Sequence, residues 1–215
     1  MTDTICALAT APGGAIAIIR VSGSRAFSAV SAICSVPCDT LAARTVRFTR
    51  LTAPVPAGSP AGQELIDEAL ITVFRAPHSY TGEDSVEISC HGSRYIINKV
   101  LELLIQQGCR MANPGEFTMR AYLNGKLDLS QAEAVADLIA STNKATHDVA
   151  LSQLRGHFST DLSQLRDQLL KLTSLLELEL DFSDHEDLEF ADRTELLELA
   201  KKLTNASHNS PIVSN

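Results

Sequence analysis

Residues 113–139 (NPGEFTMRAYLNGKLDLSQAEAVADLI) constrain this chain more than any other stretch, because a mixed first half hands over to a helical second half there. Asn113-Pro114-Gly115 is a turn signal, and Pro114 stands where the first turn of a helix tolerates a missing N–H. A helix is expected from that point. Phe117, Ala121 and Tyr122 fall on one of its faces, and Glu116 occupies the first turn, where the helix dipole favours a carboxylate. Asn124-Gly125 supplies a left-handed stop. Helical spacing resumes through Leu127, Leu129, Ala132, Val135, Ala136 and Ile139, with Ser130 the expected N-cap and Glu133 completing a capping box. The two helices meet at a corner carrying Lys126, either a solvated cation near a helix C-terminus or a contact for an anionic ligand.

At 215 residues and 45% hydrophobic content the chain has enough apolar material for one or two real cores. Residues 1–23 hold Asp3, scattered glycines and no basic leading segment, which reads as neither a signal peptide nor an anchor. No window approaches the roughly 18 apolar residues of a spanning helix, so a cytoplasmic protein is expected. Cys6, Cys34, Cys38, Cys90 and Cys109 lack zinc-type pairing or a CxxC motif and read as reduced, mostly buried thiols. The net charge of −8 is uneven: residues 1–125 balance ten Lys/Arg against ten Asp/Glu, so the whole excess lies in residues 126–215. Such a surface repels a phosphate backbone, which argues against this chain alone binding nucleic acid.

From the start, residues 4–11 (TICALATA) and 15–21 (AIAIIRV) are apolar, β-branched runs around Pro12-Gly13-Gly14, which predicts two buried strands joined by a turn. Arg20 interrupts the second run; it is either exposed at an edge or aimed at a carboxylate. A short helix opens at Ser22-Gly23-Ser24, residues 44–50 alternate as a strand, and 52–63 reads as a surface loop. Residues 64–74 and 85–90 are further strands. In the latter, Val86, Ile88 and Cys90 point one way and Glu87 the other, so Glu87 either faces solvent or serves a site. His91 follows as a ligand, a base or a strand-end cap. Residues 93–107 form an amphipathic helix stopped by Gly108.

The second half is helical. Apolar residues from Val149 to Leu176 keep near-heptad spacing, which predicts a single long helix over 146–182 of roughly 35 residues, weakened only at Gly156. Residues 184–187 (DHED) read as an exposed acidic corner, 192–203 as a short helix capped by Asp192, and the tail from 205 has no periodicity. The expectation is an α+β fold: a mixed or antiparallel sheet domain over residues 1–120, an all-helical domain over 121–204, and an irregular tail over 205–215. There is no G-x-x-x-x-G-K-[ST] loop, G-x-G-x-x-G fingerprint, H-E-x-x-H or G-x-S-x-G.

Three ordered motifs carry a family resemblance: residues 3–23 (DTICALATAPGGAIAIIRVSG), residues 79–92 (SYTGEDSVEISCHG), and residues 114–139 beginning PGEF. Together they closely resemble the tRNA-modification GTPase family MnmE, also called TrmE. That resemblance implies an N-terminal domain like the folate-binding domain of aminomethyltransferases, which dimerises and binds 5-formyl-tetrahydrofolate or a related one-carbon folate. It puts the folate contacts on Arg20, Glu87 and Lys126, with no catalytic and no metal-binding residue in these 215. Arginine and lysine suit the glutamate tail of a folate, and a carboxylate suits the N–H groups of its pterin. It further implies a homodimer, a flavoprotein partner MnmG (GidA), no membrane, and tRNA engaged through the complex. The complex installs a carboxymethylaminomethyl-type group on a wobble uridine. GTP, Mg and K would enter only through the family's GTPase domain, which these residues do not include. The tail 210–215 is faintly similar to the family's re-entry into the helical domain. A free-standing one-carbon transferase and a helical docking module are the alternatives.

Overall fold

The computed structural model describes residues 3–54, 63–181, 197 and 201. The chain divides into two compact units, Met1–Ala132 and Glu133–Asn215.

The first unit is built on a six-stranded mixed sheet, in agreement with the α+β expectation. Its strands are β1 (Ile5–Leu8), β2 (Ile16–Ser22), β3 (Val46–Pro54), β4 (Gln63–Phe74), β5 (Ser85–His91) and β6 (Arg110–Met111), in spatial order β3-β4-β5-β2-β1-β6. Only β6 runs parallel to its neighbour, β1. The ends of the loop predicted over 52–63 are strand, since β3 runs on to Pro54 and β4 begins at Gln63, and the rest of it falls outside the described residues.

Period-two alternation sorts the side chains between the two faces. Ile19 and Val21 of β2, Ile71 and Val73 of β4, and Val86 and Ile88 of β5 are fully buried. They form the core with Ala26, Ala29 and Val30 of helix α1 (Ala26–Ser31) and Ile97, Val100, Leu103 and Leu104 of α2 (Arg94–Gln106). Each buried aliphatic side chain contributes roughly 1.5–3 kcal/mol, so both helices are fixed on this face. The opposite face carries the intervening residues. On it Arg20, Glu87, Thr72 and Val46 lie side by side in one cross-strand row, and Ile18, Ser89, Leu70 and Phe48 in the next.

After β6 come α3 (Glu116–Leu123) and α4 (Leu129–Ala140). Helix α3 starts two residues beyond Pro114, because Gly115 takes a left-handed conformation (φ +74°) at the N-cap and leaves the proline in the turn. Gly125 is left-handed as expected (φ +66°). The cap of α4 is not Ser130. Asp128 accepts from the Gln131 N–H at 2.8 Å and the Gln131 side chain accepts from the Asp128 N–H at 2.9 Å, so the reciprocal box sits two residues earlier.

In the second unit the predicted single helix is two, α5 (Lys144–Leu154) and α6 (His157–Asp181). Gly156 takes φ +78°, which ends α5 and redirects the chain. Asn143 caps α5 by accepting from the Thr146 N–H at 3.0 Å. The expectations for 184–187 and for the tail fall outside the described residues, as do those for 192–203 apart from Leu197 and Lys201, both helical.

Candidate functional site

On the open sheet face Arg20 and Glu87 are direct cross-strand partners. Both Arg20 Nε (3.0 Å) and Nη2 (2.8 Å) donate to Glu87 Oε1. Of the two readings of Arg20, the guanidinium aimed at a carboxylate holds, and the carboxylate is this chain's own. Two aromatic rings flank the guanidinium: its central carbon lies 5.2 Å from the ring centre of Tyr80 and 5.5 Å from that of Phe117. Each such contact is worth about 0.5–1 kcal/mol at a partly exposed site. The ion pair keeps a quarter of its surface in water. A polar edge and an aromatic surround are thus presented to solvent together.

Tyr80 comes from the turn between β4 and β5, and Phe117 from α3. Three links join these two segments. The Tyr80 hydroxyl bonds the Thr118 hydroxyl (2.8 Å), Asn124 Nδ2 donates to the Thr81 carbonyl (2.7 Å), and Arg120 Nη1 donates to the Glu83 carboxylate (3.1 Å). Lys126 reaches the same turn: a Cβ added to Gly82, which takes φ +78°, would sit 3.2 Å from Lys126 Cγ and 3.1 Å from Asn124 Cβ. The exposed lysine therefore lies along the turn that carries Tyr80, while the ion pair of Glu87 is made with Arg20.

Beneath this surface lies a charge network that sequence reasoning missed. Arg120 is 1% exposed. It donates to the Asp3 carbonyl (2.9 Å), Asp3 Oδ1 (2.9 Å), Glu116 Oε1 (3.1 Å) and Glu83. Arg110 joins from β6, donating to Asp3 and Glu116. Glu116 is the first-turn acid expected and is buried, and the hydrogen bond from Arg110 first, then the Asn113 N–H and Arg120, hold its carboxyl down at about 2. A separate hydrogen bond from Arg110 to the Asp3 carboxylate depresses Asp3. Burial alone would favour loss of the Arg120 proton, but its bonds to Glu83 and Glu116 keep it above the ordinary arginine range. Arg120 Nε is the one buried side-chain nitrogen or oxygen among the described residues that lacks a hydrogen-bond partner. The Glu116-to-Arg120 spacing of four was the available signal; nothing local announces Asp3 or Glu83.

His91 closes β5. Its ring Nδ1 lies 2.7 Å from Asp67 Oδ1 and its backbone N–H donates to Asp67 Oδ2 at 2.9 Å. The nearly buried Asp67 thus completes the strand end, the cap role among those considered for His91.

Fold and site describe a sheet domain with an open polar and aromatic face, joined to helices. A family model described as the GTP-binding protein TrmE N-terminus matches residues 4–126, and one described as the MnmE helical domain matches residues 129–210. The chain is 54% identical to a tRNA modification GTPase MnmE of Phocaeicola vulgatus, over 92% of this chain and 45% of that protein. It is 57% identical to that of Bacteroides thetaiotaomicron (94% and 42%) and 58% identical to that of Parabacteroides distasonis (92% and 43%). This chain belongs to the MnmE (TrmE) family of tRNA modification GTPases. It spans less than half the length of these relatives. Among the described residues no helix is long and apolar enough to cross a membrane.

Proposed function

We infer that this chain is the folate-binding and dimerisation part of a tRNA wobble-uridine modification protein, joined to the first part of its helical domain. The observation that carries this is the Arg20–Glu87 pair set between Tyr80 and Phe117, with Lys126 along the adjoining turn. The donor set fits a one-carbon tetrahydrofolate: Glu87 suits the pterin N–H groups, Arg20 in contact with it suits an acceptor oxygen at that same end, Lys126 suits the tail carboxylates, and the aromatic rings suit a flat heterocycle. Arg20 and Glu87 satisfy one another here. A ligand edge offering an acceptor oxygen beside N–H donors replaces both halves of that bond, whereas one offering only donors or only acceptors strands a partner. When bound, the folate supplies the one-carbon unit. The residues of this chain bind and orient it.

Two further elements belong to this reading. Val46, Phe48 and Leu70 are each about half exposed on the open face, beside the Arg50–Glu68 pair. A patch carrying one charge of each sign is self-complementary across a two-fold axis, which supports a homodimer through the first unit. The acidic excess supports tRNA contact through an assembly with the MnmG flavoprotein in the cytoplasm, with GTP hydrolysis belonging to the family's GTPase domain.

Calorimetric titration of the chain with 5-formyl-tetrahydrofolate, alongside Arg20→Ala, Glu87→Ala and Lys126→Ala, tests the site. Micromolar binding, about −8 kcal/mol, that is lost in the variants is expected. Variants that bind as well as the parent would refute it.

A further inference from the structure

We propose that Arg120 is the positioning residue of this site: its buried guanidinium locks the 79–84 turn to α3 so that Tyr80 and Phe117 flank Arg20. Of the three links between turn and helix, Tyr80 to Thr118 is exposed and Asn124 to Thr81 is half-buried, so water can replace them in part. The Arg120–Glu83 link differs, because the cation is 1% exposed and the anion is itself tied down. Glu83 also accepts from the Ser22 hydroxyl at 2.9 Å, and Ser22 stands two residues beyond Arg20 on β2. A single carboxylate therefore joins the strand carrying Arg20, the turn carrying Tyr80 and, through Arg120, the helix carrying Phe117.

The charge balance makes the link hard to substitute. Asp3, Glu83 and Glu116 present three carboxylates to two guanidinium groups. Loss of Arg120 leaves Asp3 and Glu116 to Arg110 and takes from Glu83 the guanidinium that ties the turn to the helix. A buried ion network adds little net stability over a well-packed apolar replacement. What a planar fork adds is fixed direction: Nη1 serves the turn and the Asp3 carbonyl while Nη2 serves Glu116 of α3 and the Asp3 carboxylate. Lysine keeps the charge and loses that geometry.

The ligand-affinity arm of the test rests on the folate reading; the geometric arm does not. In proton–nitrogen spectra of the full chain, the Arg20 Nε–H signal is identified by its disappearance in Arg20→Lys. It is expected to be displaced by the ring currents of Tyr80 and Phe117. Arg120→Lys is expected to abolish that displacement while the strand amides keep their dispersion, and to weaken 5-formyl-tetrahydrofolate binding by roughly tenfold or more. It should cost little further affinity in an Arg20→Lys background, where binding is weakened and still measurable. An unchanged Arg20 signal and unchanged affinity in a folded Arg120→Lys protein overturn the proposal. Should that variant fail to fold, Glu83→Gln, which leaves Arg120 held by Asp3 and Glu116, is read by the same two criteria. A parent that binds no folate, in which Arg120→Lys still shifts the Arg20 signal, sinks the folate reading and leaves the positioning role standing.

Discussion

Arg20 and Glu87 stand opposite one another on β2 and β5, with 2.8 Å between Arg20 Nη2 and Glu87 Oε1. Each keeps about a quarter of its side-chain surface in water, so their attraction contributes at most about 1 kcal/mol to stability. Arg20→Lys removes the Nε donor and replaces a flat cation between two rings with a compact one. Its melting temperature is expected to fall by no more than about 4 °C, while 5-formyl-tetrahydrofolate affinity falls by at least roughly tenfold. Thermal unfolding and titration on the same samples check this. A large drop in melting temperature with unchanged affinity would make the pair structural.

Half of this pair was legible in the chain alone. Alternation along 85–90 placed Glu87 away from Val86 and Ile88, because period two is a local property of the chain. It could not say that Arg20, 67 positions earlier, is its partner. Strand order decides that, and strand order follows from the packing of the whole sheet. Arg120 was invisible for the same reason: its partner Asp3 is 117 positions away. At α4 two overlapping boxes, Asp128 with Gln131 and Ser130 with Glu133, compete in the sequence, and spacing does not choose between them. At Gly156 the apolar spacing continues across a break that depends on one backbone angle.

Two glycines separate steric from conformational cost. A Cβ at Gly92 would collide with the Gly14 carbonyl oxygen, backbone against backbone, so neither side gives way without moving the β2–β5 end of the sheet. At Gly115 an added Cβ meets nothing within 4 Å, and the cost is only that of φ +74° for an alanine. Gly115→Ala is expected to lose about 1 kcal/mol and Gly92→Ala about 3 kcal/mol or more. Urea unfolding ranks them; equal losses would show that the close approach is relieved by the turn.

Acid should expose the network around Arg120. Glu116 ionises near 2 in the folded chain against an ordinary value of 4.5, chiefly because Arg110 donates to it. A carboxyl depressed on folding stabilises in its charged form, so its contribution is complete above about 4.5 and disappears as the pH falls toward 2. Melting temperature is expected to decline through that window. The decline should be shallower in Glu116→Gln, which starts from a lower plateau. Parallel curves for parent and variant would assign the acid sensitivity to other carboxylates.

The five free cysteines report separately on the core. Burial pushes the Cys34 thiol to about 12 and the Cys90 thiol to about 11, the latter aided by the neighbouring Asp67 charge. Burial likewise raises Cys38. Cys6 and Cys109 split: a hydrogen bond between them raises Cys6 and lowers Cys109, and Arg25 favours the Cys109 thiolate as well. Because the thiolate is the nucleophile, Cys109 should be alkylated by iodoacetamide at pH 8 ahead of Cys38 and Cys90, which are buried as it is and whose thiols are raised. All the buried thiols, Cys109 included, react only as their surroundings open, whereas Cys34 is partly exposed and is held back by its raised pKa. Peptide mass analysis over a time course measures the order, and Cys90 labelling ahead of Cys109 would mean that the sheet opens at β5 before the β1–β6 edge does.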